Sequence, residues 1–184
     1  MKDKALKRLN RDDRREQIIK AALLVFVEKG FSSTTTAEIA KAAEISEVTL
    51  FRYFSSKREI FDAGVEPILF KEMQKEDTQI NESFGTEQVR KLVIDRIQFL
   101  NNNQRIIKLI LNEPLLNQSG ENYIHKMVFN LKSLLEKHQI QGDDHFIVRT
   151  LMGSFLSFLY FPEKDDVIVQ EYADRIAALI ISSQ

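Results

Sequence analysis

Hydroxyl, aromatic and basic side chains are concentrated in residues 35–57, TTAEIAKAAEISEVTLFRYFSSK. Hydroxyl and cationic groups donate hydrogen bonds to phosphates, and side chains of these types also read the edges of bases. The segment holds two short stretches with helical spacing of apolar residues and a tight break between them. A short helix, a brief turn and a second helix form a helix-turn-helix, whose second helix fits the major groove of DNA. The sequence therefore predicts a DNA-reading unit over residues 35–54.

The rest of the chain contains no set of residues that indicates catalysis. There is no cysteine, which excludes disulfides, thiolate nucleophiles and zinc fingers. Glu121 and His125 are one helical turn apart and could supply two metal ligands, but no third ligand joins them, and a surface pair is the better interpretation. We therefore expect no enzymatic activity, no metal site and no cofactor.

Composition favours an all-helical protein. Among 184 residues there are only six glycines and three prolines, which leaves little material for turns. The longest apolar run, 21–27, is too short to span a bilayer, and no signal-peptide pattern is present, so we expect a cytoplasmic protein without a membrane partner. Residues 1–60 carry 13 Lys/Arg and 9 Asp/Glu, a balance of +4, whereas the remainder carries 13 and 18, a balance of −5. This asymmetry suits a molecule that meets a polyanion with one end.

Capping residues and apolar spacing predict the helices of the first 74 residues. Thr35 with Glu38 forms a capping box that opens the second helix, and Ser56 with Glu59 forms another that opens the fourth. Pro67 predicts a kink or break late in the fourth helix. The four helices are expected at 14–29, which Gly30 ends, from Thr35 onward, at 47–54 after Ser46, and from Ser56 to about residue 74.

A polar stretch at 75–85 predicts the boundary between two domains, 1–74 and 75–184. The second domain reads as helical throughout, because apolar residues recur at helical spacing between breaks such as Pro114, Gly142 and Pro162. Its helices are expected at about 86–101, 103–112, 119–138, 143–161 and 165–182.

The residue types in the helix-turn-helix resemble the signature of the TetR family of bacterial transcriptional regulators. The resemblance rests on Thr36-x-x-Ile39-Ala40-x-x-Ala43, then Ile45-Ser46, then Thr49-Leu50-Phe51-Arg52-Tyr53-Phe54-x-x-Lys57, and covers about residues 12–72. It implies an all-α fold, in which a three-helix DNA-binding domain with a helix-turn-helix precedes a helical ligand-binding and dimerisation domain. It also implies a regulator, most often a repressor that a small molecule releases from an inverted-repeat operator.

Three positions depart from the family pattern. The family often has glycine in the turn, where this chain has Glu44, and a left-handed conformation there would strain any other residue. We therefore expect the turn to be reshaped by a residue. Val48 stands where a glycine or proline often precedes the threonine, and Phe51 replaces a tyrosine whose hydroxyl can donate to phosphate.

The matched positions predict two groups of DNA contacts. Phosphate contacts are expected at the start of the second helix, from Thr36 beside Thr35, because free backbone N–H groups there favour an anion. Further phosphate contacts are expected on and just after the third helix. Most base-reading side chains are expected there too, with one more on the second helix. The phosphate contacts are expected from Thr49, Tyr53 and Lys57, and the base-reading residues are Ala37, Glu47, Val48 and Arg52. Phe51 is also expected in the interface with DNA.

Other roles stay open for several of these residues. Glu47 can accept from a cytosine amino group, but an acid in the first turn also complements the helix dipole without touching DNA. Arg52 suits a guanine or a phosphate, Lys57 suits a phosphate or a solvated surface position, and Tyr53 can instead be a half-buried core ring. The basic residues of the N-terminal arm suit minor-groove contact or a disordered tail. They are Lys2, Lys4, Lys7, Arg8, Arg11, Arg14 and Arg15.

The resemblance also implies partners for the second domain. A homodimer is expected through helices near 143–161 and 165–182, although either can also be an internal core helix. The stretch 146–161 is apolar all round, so we expect it to be buried on more than one side. An unknown small-molecule effector is expected among the middle helices, near Phe99, Ile110, Tyr123, Met127 and Arg149. Arg149 is singled out because a buried charge needs a partner, with a salt bridge or surface position as its alternative. A helical adaptor that binds protein or ligand but not DNA is the other functional reading.

Overall fold

The computed structural model describes residues 10–71, 85–117, 122–137 and 144–182. The chain divides into two compact units, Met1–Lys75 and Glu76–Gln184. All regular secondary structure in the described ranges is helical, which confirms the predicted all-α fold. No helix in these ranges is both long and apolar enough to cross a membrane.

Four α-helices build the first unit. Helix α1 begins three residues earlier than predicted because the Asn10 side chain accepts a hydrogen bond from the Asp13 N–H at 2.7 Å and caps the helix. Gly30 ends α1 with a φ of 86°, a conformation that glycine adopts without steric cost. The helices are α1 (Arg11–Lys29), α2 (Thr36–Ala42), α3 (Glu47–Phe51) and α4 (Lys57–Glu66).

The break at the end of α4 was predicted correctly, whereas α3 ends earlier than predicted. A π-helical turn, Pro67–Lys71, follows α4 directly, which confirms the break expected at Pro67. Pro67 has no N–H to donate to the preceding turn, so the α-helical ladder cannot continue unchanged. The predicted end of this helix near residue 74 lies outside the described residues. Helix α3 ends at Phe51, three residues earlier than predicted.

An aromatic cluster forms the centre of the first unit. The rings of Phe26, Phe31 and Phe61 lie 5.2–5.4 Å apart, and all three are buried. Offset and edge-to-face arrangements at this distance add to the gain from burial. Helix α4 approaches α1 closely at Gly64, where an added Cβ would lie 3.0 Å from Leu23 and 3.1 Å from Ile19. The first unit therefore holds α2 and α3 on a tightly packed support.

The described part of the second unit is also helical. Helix α7 was not predicted: Pro114 marks a break in the helical pattern, but proline also suits the first position of a helix. Residues 118–121, where the predicted helix 119–138 begins, lie outside the described ranges. The helices are α5 (Thr86–Asn102), α6 (Gln104–Asn112), α7 (Pro114–Asn117), α8 (Tyr123–Lys137), α9 (Asp144–Tyr160) and α10 (Asp166–Ser182).

Helix α5 packs against α9 and α10 in the second unit. An ion pair between Arg90 Nε and Asp174 Oδ1, at 2.5 Å, joins α5 to α10 at the surface. Between α9 and α10, the Tyr172 hydroxyl donates to Ser154 Oγ at 2.7 Å, and Ser154 donates to the Thr150 carbonyl. The core consists of Val89, Val93, Ile97, Leu131, Leu135, Ile147, Val148, Leu151, Phe158, Val169, Ala173, Ile176, Ala177 and Ile180.

The expectation that residues 146–161 are buried on more than one side is wrong for the single chain. One face of α9 packs into the core through Ile147, Leu151 and Phe158. The opposite face leaves Phe146, at 41% exposure, and Leu156, at 40%, open to solvent. Apolar composition alone does not say whether the second face is covered by this chain or by another molecule.

Candidate nucleic-acid interface

A capping box fixes the start of α2. The Thr35 hydroxyl accepts from the Glu38 N–H at 3.2 Å, and the Glu38 carboxylate accepts from the Thr35 N–H at 2.9 Å, as predicted. Lys29, in the last turn of α1, donates to the same carboxylate at 2.7 Å. The hydrogen bond from Lys29, followed by those from Thr35, lowers the pKa of Glu38 to about 2. The end of α1 and the start of α2 are thus joined through one ionised side chain.

The turn between α2 and α3 keeps its usual backbone path despite the absence of glycine. Glu44 has a φ of 54°, so the expectation that the turn is reshaped is wrong. The Glu44 N–H donates to the Lys41 carbonyl at 3.1 Å and the Ile45 N–H donates to the Ala40 carbonyl at 3.0 Å, which together make a Schellman motif. These bonds hold a left-handed residue that has a side chain, at a cost in backbone strain.

Side chains of α1 hold this turn and the end of α3 from below. The Gln17 amide donates to the Ala43 carbonyl at 2.9 Å, next to the strained residue, and receives a bond from Arg14 Nη1 at 2.9 Å. The Arg15 guanidinium lies 4.8 Å from the centre of the Phe54 ring, a cation–π distance. Gln17 was not predicted, because a bond to a backbone carbonyl 26 residues away leaves no pattern in the sequence.

Helix α3 is anchored by its buried residues and capped by Ser46. Leu50 and Phe54 are completely or almost completely buried. The Ser46 hydroxyl accepts from the Thr49 N–H at 3.1 Å, and the Thr49 hydroxyl lies 2.8 Å from the same oxygen. Thr49 is therefore within this cap, and its predicted phosphate contact stays a prediction.

Large side chains remain exposed on the outer side of α3. Val48 is 68% exposed and Phe51 is 50% exposed, and Arg52, at the end of the helix, is also exposed. Phe51 and Arg52 follow Val48 by three and four residues, so all three side chains lie on one face of the helix. Ala37 on α2 is exposed as well, whereas Tyr53 is half-buried, as its alternative role of a half-buried core ring predicts. Exposed apolar and cationic groups on a short, well-anchored helix are what direct reading of base edges requires.

Two predicted contact residues are bonded to each other. The Thr36 hydroxyl, at the start of α2, donates to the carboxylate of Glu47, at the start of α3. The same hydroxyl hydrogen cannot serve a phosphate while this bond exists. Whether Glu47 reads a base stays a prediction, but in this structure its carboxylate ties the two helix starts together.

Lys57 is bonded within the first unit. Its ammonium donates to the carbonyls of Phe31 at 2.8 Å and Thr34 at 2.7 Å, with the Ser32 carbonyl at 3.4 Å. It also lies 4.6 Å from the centre of the Phe31 ring. The capping box predicted beside it is formed only in part: Ser56 accepts from the Glu59 N–H, but the Glu59 carboxylate accepts from Ser55, whose hydroxyl and N–H lower the pKa of Glu59.

The basic arm is described only in part. Lys2, Lys4, Lys7 and Arg8 lie outside the described residues, while Arg11, Arg14 and Arg15 belong to α1 rather than to a frayed arm. Arg14 and Arg15 support the turn and Phe54, as described above.

The residues predicted to bind an effector do not form one group. Ile110 and Tyr123 are fully buried, and Phe99 and Met127 are half-buried. Arg149 is exposed on the open face of α9, so it is not a buried charge and instead takes the surface position given as its alternative. Arg96 on α5, which was not predicted, is 6% exposed. Among the described residues, no three acidic or histidine side chains are placed to hold a metal ion.

Comparison with known proteins identifies relatives of this helix-turn-helix. The family described as bacterial regulatory proteins of the tetR family matches residues 18–63, which run from within α1 into α4. YvkB of Bacillus subtilis, an uncharacterized HTH-type transcriptional regulator, is 30% identical over 122 residues, which cover 65% of this chain and 62% of YvkB. YttP of the same organism, named as a probable HTH-type transcriptional regulator, is 24% identical over 81% of this chain and 80% of YttP.

Solved structures share the whole fold. NalD of Pseudomonas aeruginosa, the secondary repressor of the MexAB-OprM multidrug efflux pump, superposes with a TM-score of 0.66 at 17% identity, over 95% of this chain and 97% of NalD. The chain spans less than two thirds of YvkB, but it spans nearly all of this structural neighbour. The helix-turn-helix, over residues 18–63, is thus that of the TetR family of bacterial transcriptional regulators, and the described structure has the all-helical architecture of that family.

Proposed function

We propose that this protein is a cytoplasmic transcriptional repressor that binds an inverted-repeat operator as a homodimer and is released by a small-molecule effector. The observation that carries the proposal is the outer side of α3, where Val48, Phe51 and Arg52 are exposed above a buried anchor. In this proposal Arg52 and Val48 contact bases, as Ala37 does from α2. Thr35, Thr36, Thr49, Phe51 and Tyr53 then lie against the backbone of the DNA.

A second surface supports the homodimer. Helices α9 and α10 both keep large apolar side chains in solvent, although their other faces form the core of the second unit. A dimer through α9 and α10 would cover them and present two copies of α3 to two half-sites. The exposed set comprises Phe146, Leu156, Tyr160, Phe161, Val167, Ile168 and Leu179.

An effector would act inside the second unit. Phe99 and Met127 are half-buried on α5 and α8, and Ile110 on α6 and Tyr123 on α8 are fully buried. Side chains of this apolar kind line sites for small organic molecules. An effector changes operator affinity only as far as it binds one conformation better than the other, which limits its effect to that difference. A repressor role is supported by NalD, which is itself a repressor.

Matched charge substitutions test the proposal. In Val48→Asp an acid replaces an apolar residue that is 68% exposed on α3, and in Leu24→Asp the same change falls on one that is 71% exposed on α1. We expect the wild-type protein to retard DNA from upstream of its own gene and to protect an inverted repeat there. Val48→Asp should weaken this binding by at least about tenfold through charge repulsion and loss of a base contact, whereas Leu24→Asp should bind nearly as the wild type does.

Electrophoretic shift and nuclease protection give the readout, and circular dichroism establishes that both variants are folded. Equal binding by the two variants would remove α3 from the DNA contact. A wild-type protein that shifts no duplex would favour the helical adaptor instead.

A further inference from the structure

We infer that Lys57 is a positioning residue of the helix-turn-helix, which acts on DNA binding by holding the connection between α1 and α2 and not by touching a phosphate. The inference rests on the proposed DNA-binding function and concerns how one of its predicted contact residues works.

The first step is the state of the Lys57 ammonium. An ammonium group has three hydrogens to donate. Two go to the carbonyls of Phe31 and Thr34 at 2.8 and 2.7 Å, and the Ser32 carbonyl lies in the third direction at 3.4 Å. The Phe31 ring covers the cation at 4.6 Å. A phosphate could gain Lys57 only by displacing one of these carbonyls, at the least the Ser32 carbonyl at 3.4 Å.

The second step is the segment that these carbonyls belong to. Residues 31–34 join Gly30, which ends α1, to Thr35, which caps α2. Three carbonyls of this short connection converge on one point, and the repulsion between them needs a cation there. Thr34 is 2% exposed and its hydroxyl donates back to the Gly30 carbonyl at 2.7 Å. The path of the connection is therefore set by Lys57 on one side and by Thr34 on the other.

The third step leads from the connection to DNA. The Thr34 carbonyl immediately precedes the N-cap of α2, so a shift of the connection moves the start of α2. That start is bonded to α3 through the hydrogen bond between Thr36 and Glu47. Lys57 is also the first residue of α4, where a cation opposes the helix dipole. The carbonyls of the connection explain why a lysine stands there. They supply the negative partial charge that the N-terminal end of α4 lacks.

The test separates position from charge by the salt dependence of binding. Each phosphate contact contributes roughly 0.9 to the slope of log K against log salt concentration. We would measure binding of the full chain to a random-sequence duplex and to a duplex selected from a random library, over a series of sodium chloride concentrations. The variants are Lys57→Met and Lys57→Gln, with Arg52→Met as the control that removes an exposed cation of α3.

For Lys57→Met we expect the slope on the random duplex to stay as in the wild type, and the preference for the selected duplex to fall by about tenfold, the worth of one base contact. Lys57→Gln keeps two N–H donors without the charge, so it should retain more of that preference. Arg52→Met should lower the preference as well, because a base contact is lost, and it should also lower the slope by up to roughly 0.9, because a cation leaves the DNA surface. The binding is measured well below the melting temperature of each variant, so a loss of stability alone would leave the preference unchanged.

Two results would overturn the inference. A slope that falls by roughly 0.9 in Lys57→Met or Lys57→Gln would place Lys57 on a phosphate. An unchanged preference for the selected duplex would show that the bonds to the connection do not position the helices. If Lys57→Met does not fold, Lys57→Gln decides both points. A wild-type protein that binds neither duplex would instead refute the proposed function itself.

Discussion

Glu44 holds a positive φ of 54°, which no other non-glycine residue has in the described part of the chain. The Schellman bonds around it and the Gln17 bond to the neighbouring Ala43 carbonyl explain how the turn persists. Left-handed backbone costs a residue with a Cβ roughly 1–2 kcal/mol. The helix-turn-helix therefore carries strain at its turn that bonds elsewhere in the unit offset.

Replacing Glu44 by glycine should relieve this strain. Glycine removes the clash of the Cβ but loses more entropy on folding, so we expect a net stabilisation of about 0.5–1 kcal/mol. Thermal unfolding by circular dichroism should show a raised melting temperature for Glu44→Gly. Glu44→Ala serves as the control, because it removes the carboxylate and keeps the Cβ. An equal rise in both variants would assign the effect to charge rather than to backbone strain.

At the scale of single residues, the sequence predicted side chains whose partners are local and missed those whose partners are distant. Thr35 and Ser46 are caps whose partners lie three residues away, and both were predicted. Lys57 bonds to carbonyls 23–26 residues away, and Arg149 turned out to face solvent. The orientation of such side chains depends on how helices pack, which residue spacing alone does not give.

At the scale of elements, the start of α2 depends on an ionised group. The pKa of Glu38 lies at about 2, against 4.5 for an unperturbed glutamate, because its carboxylate is bonded to Lys29 and Thr35. A pKa that is lower in the folded state means that the stabilisation is complete above about pH 4.5 and is lost as the pH falls toward 2. The joint between α1 and α2 is thus expected to weaken in acid.

Glu38→Gln should remove this part of the pH dependence. We expect the wild type to melt at a higher temperature than Glu38→Gln at about pH 6, and the difference to shrink as the pH falls to about 3. Melting curves over this range give the measurement. Glu44→Gln is the matched control, since it changes an exposed carboxylate of the same unit that has no ion pair among the described residues. A difference that stays constant with pH would mean that the Glu38 charge does not stabilise the joint.

Element boundaries were predictable wherever capping residues or proline mark them. The start of α2, the end of α1 and the break at Pro67 follow from such residues. Asn10 with Asp13 three residues later marks the start of α1 in the sequence, although the helix was expected only from residue 14. Helix α3 ends at Phe51, but the Tyr53 and Phe54 N–H groups still donate to the Leu50 carbonyl, so Phe54 is buried beyond the end of the helix.

At the scale of the whole molecule, α9 and α10 leave apolar faces in solvent, although apolar side chains are expected to be buried when a chain folds. The sequence indicated apolar helices there but not which face would stay open. Phe161, between the two helices, is 80% exposed. Exposed apolar groups in such numbers mark a site for another macromolecule.

Introducing a charge on this face should separate the dimer. We expect Leu156→Glu to be a monomer in light scattering and to bind the operator more weakly by about a hundredfold or more, because two linked half-site contacts become independent. Phe129→Glu is the control: Phe129 is an exposed aromatic residue, at 68%, on α8 and outside the proposed contact. Leu156→Glu that remains dimeric at the same concentration would exclude this face as the dimer contact.

Gly64 limits which substitutions the first unit tolerates. The residue is buried where α1 and α4 meet, and a single methyl group there would lie 3.0 Å from Leu23 and 3.1 Å from Ile19. Even the smallest substitution, to alanine, would force these neighbours to move by a few tenths of an ångström. The support beneath α2 and α3 is therefore constrained by a missing side chain. A change at Gly64 would thus reach α2 and α3 through the helices that support them, although the residue itself is buried between α1 and α4.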